Sequence, residues 1–514
     1  MLQNVSHFVD VQDDSEILYE SDFGYMFNFL NRNGSHLLPT GPRTVHYLRR
    51  LGTVMADQEI SEEDFAERNS TIPSIYTYLG QFIDHDITAR TDRNTTYSSI
   101  GDGPDIYPLN PLDIVQNLRN GRRPKLDLDS VFGEGPSFSS KYTCQADKLF
   151  DNRSLNLFLV DGPGNFLDLK RDKKKDFKAI IADARNDENL IVSQLHATFL
   201  KMFNKINDNL DHSGLSNADA YSRARQLCRW AYQYVVLNDY LPTVCDPDVV
   251  NDVLRNGPFF YNSSFPYMPL EFSVSAFRFG HSMIRPSYVL NDATTMNIMK
   301  ILDPAANLID PTTGNIRVDV VVDWANFVGE NPANLARKID PFIAKGLFDL
   351  SKIAGTPPPP SVLASLTQRN LLRGYLLSIP TGQAIAEAMR IDPLTESQLV
   401  EGLSEEQTTV MQDSDFVKMT PLWFYILQEA KVQKDGNTLG YVGSKLVGET
   451  ITGLVKGDFN SYFNNTNDAN IESDGILLPD NGMDVKISTI KDILMYAEVL
   501  TPDAAVPVAE EAEV

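Results

Sequence analysis

The sequence predicts a mainly α-helical protein, one large helical domain with little β-structure. Two observations predict it. Apolar residues recur at helical spacing, as in Ile75, Tyr78, Leu79 and Phe82, and again in Leu195, Phe199, Met202, Phe203 and Ile206, which marks helices with one face to a core. No internal repeat or strong boundary interrupts residues 41–457. Length alone, at 514 residues, would also allow two or three domains. The expected organisation is an N-terminal arm over 1–40, the domain over 41–457, and a C-terminal extension over 458–514. The last dozen residues of that extension read as a disordered acidic tail.

Composition excludes some partners. A formal net charge of −24 and a pI of about 4.7 argue against nucleic acid or an anionic membrane. No apolar run reaches transmembrane length, and Met1 to Asp14 lacks the basic and apolar regions of a signal peptide. Cys144, Cys228 and Cys245 include no CxxC pair, so a zinc site or disulfide framework is not indicated. Cys228 and Cys245 could pair, but buried free thiols are the better reading.

Taken in order, Met26, Phe27, Phe29 and Leu30 form a short apolar patch, and Asn31 to Ser35 read as a turn. Thr44 to Met55 looks helical. His36 and His46 have no partner pattern and read as structural or surface residues. The next helix carries Gly80-Gln81-Phe82-Ile83-Asp84-His85-Asp86-Ile87 at its end, with Thr71 as N-cap and Pro73 in its first turn. One turn separates Gln81 from His85, so both can reach one space. Burying two carboxylates, an amide and an imidazole is costly unless they find partners. The plain alternative is a polar helix end facing water.

Residues 91–145 look loop-rich and contain Arg122-Arg123-Pro124-Lys125-Leu126-Asp127-Leu128-Asp129. Asp127 and Asp129 fit either a solvated strand edge or the oxygen ligands of a hard cation. Within residues 183–207, Arg185 and Glu188 stand near the start of an apolar-periodic helix. There Glu188 could be a simple cap favoured by the helix dipole, and His196 reads as a packing residue. Residues 220–262 look helical and then loop-like, without evident chemistry. Over 270–286, Leu270, Val274, Phe277 and His281 share a helix face. Gly280 lets a flat group come close, and Pro286 ends the helix. His281 alone could be an ordinary core histidine. Residues 289–355 alternate apolar and turn segments, and Thr356 to Pro360 form a stiff extended loop. Asn370 and Arg373, three apart, could lie on a plain amphipathic turn.

The octapeptide at 80–87 resembles the distal motif of animal-type haem peroxidases, the peroxidase–cyclooxygenase superfamily that includes myeloperoxidase. Further matches follow in the same order: Arg185 with Glu188, Arg278 with His281, and Asn370 with Arg373. Thr420 to Phe424 and Gly440 to Gly453 resemble the closing segment of bacterial members. The resemblance implies a helical domain holding haem b. His85 and Arg185 would be catalytic, Gln81 would occupy the position linked to halide binding, and His281 would be the axial iron ligand. Asn370 would accept a hydrogen bond from that imidazole, and Arg278 and Arg373 would meet the haem propionates. Asp84 and Glu188 stand where family members form two ester bonds to haem. Asn189 replaces the methionine that makes a third link in myeloperoxidase. Calcium would be bound by Asp86, Asp127 and Asp129 with carbonyls of Arg123 and Lys125, although Arg123 stands where a threonine is common.

The implied activity is reduction of hydrogen peroxide with oxidation of halides, thiocyanate or small phenolic donors. Two alternatives are a fatty-acid dioxygenase of the same superfamily and a haem-less adhesion or structural protein of the same fold. Such dioxygenases use a tyrosine three residues before the proximal histidine, where this chain has Arg278. Retention of His85, Arg185, His281 and Asn370 argues against a vestigial site. An intracellular source of hypohalous acid would endanger its host, so export by a route not visible in the sequence is expected.

Overall fold

A computed structural model of the protein describes residues 21–32, 34–57, 66–89, 100, 103, 105–133, 159–161, 166–174, 177–261, 264, 266–302, 308–329, 331–352 and 361–501. Cys144, the Pro357 to Pro360 loop and the acidic tail lie outside these residues. The longer helices used below are α1 (Pro42–Val54), α2 (Ile75–Ile87), α3 (Leu190–Asn209), α4 (Asn217–Val235), α5 (Leu366–Leu376), α6 (Leu422–Lys434), α7 (Tyr441–Gly457) and α8 (Ile490–Tyr496). The described strands are short and form sheets of two or three strands, so the protein is mainly α-helical, as expected. Among the described residues no helix is long and apolar enough to cross a membrane.

Local chemistry explains most helix starts. Pro42 sits in the first turn of α1, where its missing N–H costs nothing. Ser216 with Asp219 and Thr489 with Asp492 close capping boxes on α4 and α8. The start of α2 is different, and the expected Thr71 cap is not found. Residues Asn69–Pro73 form strand β1, antiparallel to β2 (Leu335–Arg337). The helix begins after Ser74, whose side chain makes no cap bond. Instead the Ser74 and Ile75 N–H groups donate to the Asn334 and Phe327 carbonyls at 2.9 and 3.1 Å. Tertiary acceptors satisfy the open helix end, so no local cap is needed.

The middle of α2 packs through aromatic rings. Phe82 stacks on Phe199 of α3 with centroids 4.7 Å apart, and Tyr232 of α4 meets both rings edge-on. All residues of α2 are buried except Gly80 and Gln81. That distribution fits a helix enclosed on nearly every side with one opening.

Residues 270–281 are not one continuous helix. A short helix, Leu270–Ser273, stops, and a 3-10 helix runs from Ala276 to His281. Arg278 Nε donates to the Ser273 carbonyl at 2.7 Å. In an unbroken helix that carbonyl would accept from Phe277, so the arginine side chain substitutes for a backbone donor and the helix bends there. The segment 368–374 extends beyond a turn to the full helix α5. Toward the C-terminus, the hairpin of β3 (Gly475–Asp480) and β4 (Met483–Ile487) and helix α8 pack on α3 and α4. Ile476, Leu478, Ile487, Ile490 and Ile493 are buried in the common core. Cys228 and Cys245 are buried free thiols.

Candidate functional site

The opening beside Gly80 and Gln81 is a cavity between α2 and the segment 277–284. Counting the part open to solvent, its empty space amounts to about 560 Å³, and its wall includes Gly80, Gln81, Asp84, Arg278, Gly280 and His281. Position 80 must be glycine, because a Cβ there would lie 2.5 Å from the Tyr240 hydroxyl. Tyr240, which also lines the cavity, ends a π-helical turn over Val236–Tyr240. Such turns re-aim side chains near functional sites. This tyrosine lies in the stretch whose sequence shows no evident chemistry. A Cβ at Gly280 would meet no atom within 4 Å, so the wall is bare where a flat group could rest.

His85 is fully buried on α2. Its Nδ1 lies 2.8 Å from Asn186 Oδ1, and Asn186 Nδ2 lies 2.9 Å from His196 Nδ1. One amide thus bridges two imidazoles, with the His85 ring donating and the His196 ring accepting. Burial lowers the His196 pKa to about 4, which keeps that ring neutral and able to accept. The Nδ1 proton leaves Nε2 as the basic nitrogen of His85.

Asp183 orders the cationic side of the site. Arg185 donates through Nε to Oδ1 at 3.0 Å and through Nη2 to Oδ2 at 2.6 Å, and Arg122 Nη2 also donates to Oδ2. The two guanidiniums then share a second acceptor, the His85 carbonyl, at 2.8 Å from Arg185 Nη2 and 3.2 Å from Arg122 Nε. Burial pushes the Asp183 pKa up, but the charges of Arg185 and Arg122 outweigh it and hold the carboxyl well below its usual range. Arg185 and Glu188 stand in a 3-10 turn, Ala184–Asp187 with Glu188 following, ahead of α3. The cap of α3 is Asn189, not Glu188.

On the opposite wall, His281 Nδ1 lies 2.9 Å from Asn370 Nδ2. The expected pairing appears with the amide reversed, since the sequence reading has the ring donating to Asn370. A half-turn of the amide exchanges the two arrangements. Arg278 is partly buried, and the loss of solvation lowers its pKa, while the Asp84 charge raises it and the Arg185 charge lowers it. It therefore lies in the field of residues from the distal side. Asp84 accepts from Thr88 Oγ1 at 3.0 Å. Arg373 is partly buried one turn along α5 from Asn370.

Asp86, Asp127 and Asp129 converge, with one carboxylate oxygen from each lying within 4.8 Å of the others. Leu128 takes a left-handed conformation, φ 58°, and its N–H donates to Asp86 Oδ2, while Ser130 N–H and Oγ–H donate to Oδ1. Burial and the Asp127 charge push Asp86 up to about 7. Among the described residues, Asp127 Oδ1 and both Asp129 oxygens accept no hydrogen bond. Three buried carboxylates with open oxygens fit a hard cation. The Arg123 and Lys125 carbonyls accept from the N–H groups of Lys125 and Asp127. Arg122 links this cluster to the distal side, its Nε 3.6 Å from Asp129 Oδ1.

Sequence reasoning missed Asp183, Asn186 and Arg122. The only local signal was an acidic residue two before Arg185. His36 and His46 lie at or near the surface, as expected.

A family model described as animal haem peroxidase matches residues 124–470. No curated protein sequence matches the chain. Among solved structures, peroxidase A from Dictyostelium discoideum is similar with a TM-score of 0.61 and 13% identity, covering 89% of this chain and 90% of that one. A fatty acid alpha-dioxygenase from Arabidopsis thaliana is similar with a TM-score of 0.54 and 14% identity, covering 93% and 75%. The Oryza sativa fatty acid alpha-dioxygenase gives 0.56 and 12%, covering 88% and 76%. At these identities the likeness is one of fold.

The buried His196 yields a pH prediction. Its folded pKa, about 4, lies below the ordinary histidine value of 6.5, so the unfolded chain binds the extra proton between those values. Its contribution is present above pH 6.5 and is lost as pH falls toward 4, by about 3 kcal/mol. His196→Gln should reduce the drop in unfolding free energy between pH 7 and 4 by that amount, measured by urea denaturation. A His196 imidazole that titrates near 6.5 by NMR in the folded protein would contradict this.

Proposed function

The chain belongs to the animal haem peroxidase family, and from that premise we propose that it reduces hydrogen peroxide and oxidises halides, thiocyanate or small phenolic donors. The observation that carries the proposal is the joining of His85 and Arg185. The arginine donates to the histidine's own carbonyl and is locked by Asp183, which ties a guanidinium to the imidazole-bearing residue that directly follows Asp84 of the cavity wall.

The residues present fit a haem. His281 would hold the iron, and the bare wall at Gly280 would accept the ring. Arg278 and Arg373 would meet the propionates, and Asp84 and Glu188 would supply ester links. When bound, haem supplies the redox chemistry. His85 has its Nδ1 proton engaged by Asn186, so Nε2 takes the proton of one peroxide oxygen and delivers it to the other. Arg185 has Nε and Nη2 committed to Asp183 and the His85 carbonyl. Nη1 is left to donate to the oxygen on which negative charge develops, and a fixed cation in a dry site needs no reorganisation to do so. Asn370 orients the His281 ring. The open oxygens of Asp127 and Asp129 beside the Asp86 carboxylate support calcium, which would neutralise the mutual repulsion of the three carboxylates next to His85.

Arg278 stands three residues before His281. An arginine cannot carry a tyrosyl radical, so this residue favours the peroxidase reading over the dioxygenase. Retention of the paired site on both walls favours it over a haem-less adhesion or structural protein.

Two outcomes test the reading. In haem-loaded His85→Gln, the change in the Soret band on mixing with hydrogen peroxide should slow about 10²- to 10⁴-fold with haem content unchanged; a parental rate in stopped flow would sink it. In Asp84→Asn, acidified organic solvent should extract a larger share of the haem than from the parent. An equal share would count against a link at Asp84.

A further inference from the structure

We infer that Asn189 sets the polarity of the distal wall: it holds the Gln81 amide with its NH₂ group turned to the cavity, so that the wall offers hydrogen-bond donors to a small monovalent anion. This rests on the haem-peroxidase reading and assigns a role to a residue outside the inferred catalytic set. It places Asn189 as a positioning residue that acts through Gln81.

The chain of bonds starts at a helix cap. Asn189 is the N-cap of α3, and its Oδ1 accepts the Val192 N–H at 2.8 Å. A backbone N–H can only donate, so the oxygen end of the Asn189 amide has one possible direction. Its Nδ2 therefore points the other way and donates to Gln81 Oε1 at 2.8 Å. An amide N–H likewise needs an acceptor, so the oxygen end of Gln81 is fixed in turn. What remains is Gln81 Nε2. It is buried and has no hydrogen-bond partner among the described residues, on a residue that lines the cavity. Turning Asn189 would set donor against donor at Val192 and acceptor against acceptor at Gln81, and turning Gln81 would set donor against donor at Asn189.

A buried NH₂ group without an acceptor is costly, and a ligand that accepts removes the cost. The same wall carries the Arg278 guanidinium, which favours an anion, and the Asp84 carboxylate, which opposes one unless it is esterified or paired. Of the donors open to the enzyme, halide and thiocyanate are anionic acceptors that lack a hydrogen to give. A phenol hydroxyl can accept too, but binds without charge. The arrangement thus favours the anion. The residue that replaces a methionine in the myeloperoxidase pattern is not merely the loss of a haem link, since it fixes which end of Gln81 the ligand meets.

Three variants of the haem-loaded full chain test this, with sodium thiocyanate titrated at constant ionic strength and the Soret difference spectrum as readout. Asn189→Asp keeps a competent cap but replaces the donor by an acceptor, so Gln81 must turn. Asn189→Ser keeps a neutral cap without a donor to Gln81. Thermal midpoints should stay near the parent for both. The thiocyanate dissociation constant should rise about tenfold in Asn189→Asp and about threefold in Asn189→Ser, the scale of one hydrogen bond. In a Gln81→Leu background neither substitution should shift it by more than about twofold, because its route of action is gone.

Unchanged affinity in both single variants would overturn the inference. So would an Asn189→Asp effect of equal size in the Gln81→Leu background, which would assign it to the added charge, or a parent Soret band that thiocyanate does not perturb. Absence of any Soret band in haem-replete parent protein would instead overturn the haem reading on which the inference stands.

Discussion

The Asp183 carboxylate, 1% exposed, receives hydrogen bonds from Arg185 and Arg122, and both guanidiniums also reach the carbonyl oxygen of His85. Two cations this deep would be untenable without that anion, and an isolated buried carboxylate would be neutral. Together they make a charged unit whose parts cannot move independently. The geometry of the distal side depends on it. Arg185 is held before any ligand arrives, and the backbone at His85 is tied to the same unit, so the His85 backbone and the Arg185 guanidinium keep their relative positions. Preorganisation of this kind is what electrostatic catalysis requires. Arg122 extends the unit to Asp129, which places the acidic cluster and the distal residues in one electrostatic system.

Around this centre, amides set directions. Asn186 bridges the His85 and His196 rings, Asn189 bridges the α3 backbone and Gln81, and Asn370 faces His281. An amide has a donor end and an acceptor end, so each bridge transmits an orientation across a distance where a charge would merely attract. The rigid elements beneath them are the stacked Phe82 and Phe199 and the helices that carry them. Two departures from regular helix fall at the cavity. The π-turn before Tyr240 and the break before Ala276 both bring side chains to its wall.

The helical fold was legible because periodic apolar stripes such as Leu195, Phe199, Met202 and Ile206 report a core directly. His85, Arg185, His281 and Asn370 were legible as motif residues, and the structure links His85 to Arg185 and His281 to Asn370, with His281 in the cavity wall. Less legible were features decided by distant partners. The start of α2 is set by the Asn334 and Phe327 carbonyls, so Thr71 misled. The helix break in the proximal segment follows from one Arg278 hydrogen bond to Ser273, which no periodicity displays. Asn189 and Gln81 lie 108 residues apart, and nothing in the local sequence of either announces the contact. Asp183 was overlooked because an aspartate beside an arginine usually lies in solvent, whereas here both are enclosed.

The cavity between α2 and His281 is proposed as a working haem site. An absorption spectrum of the purified, haem-supplied protein before and after hydrogen peroxide tests it most directly. The prediction is a Soret band that His281→Ala weakens or shifts, that peroxide changes, and that iodide, bromide or a phenol restores. Haem-replete protein without a Soret band, or with one that peroxide leaves unaltered, would contradict the account.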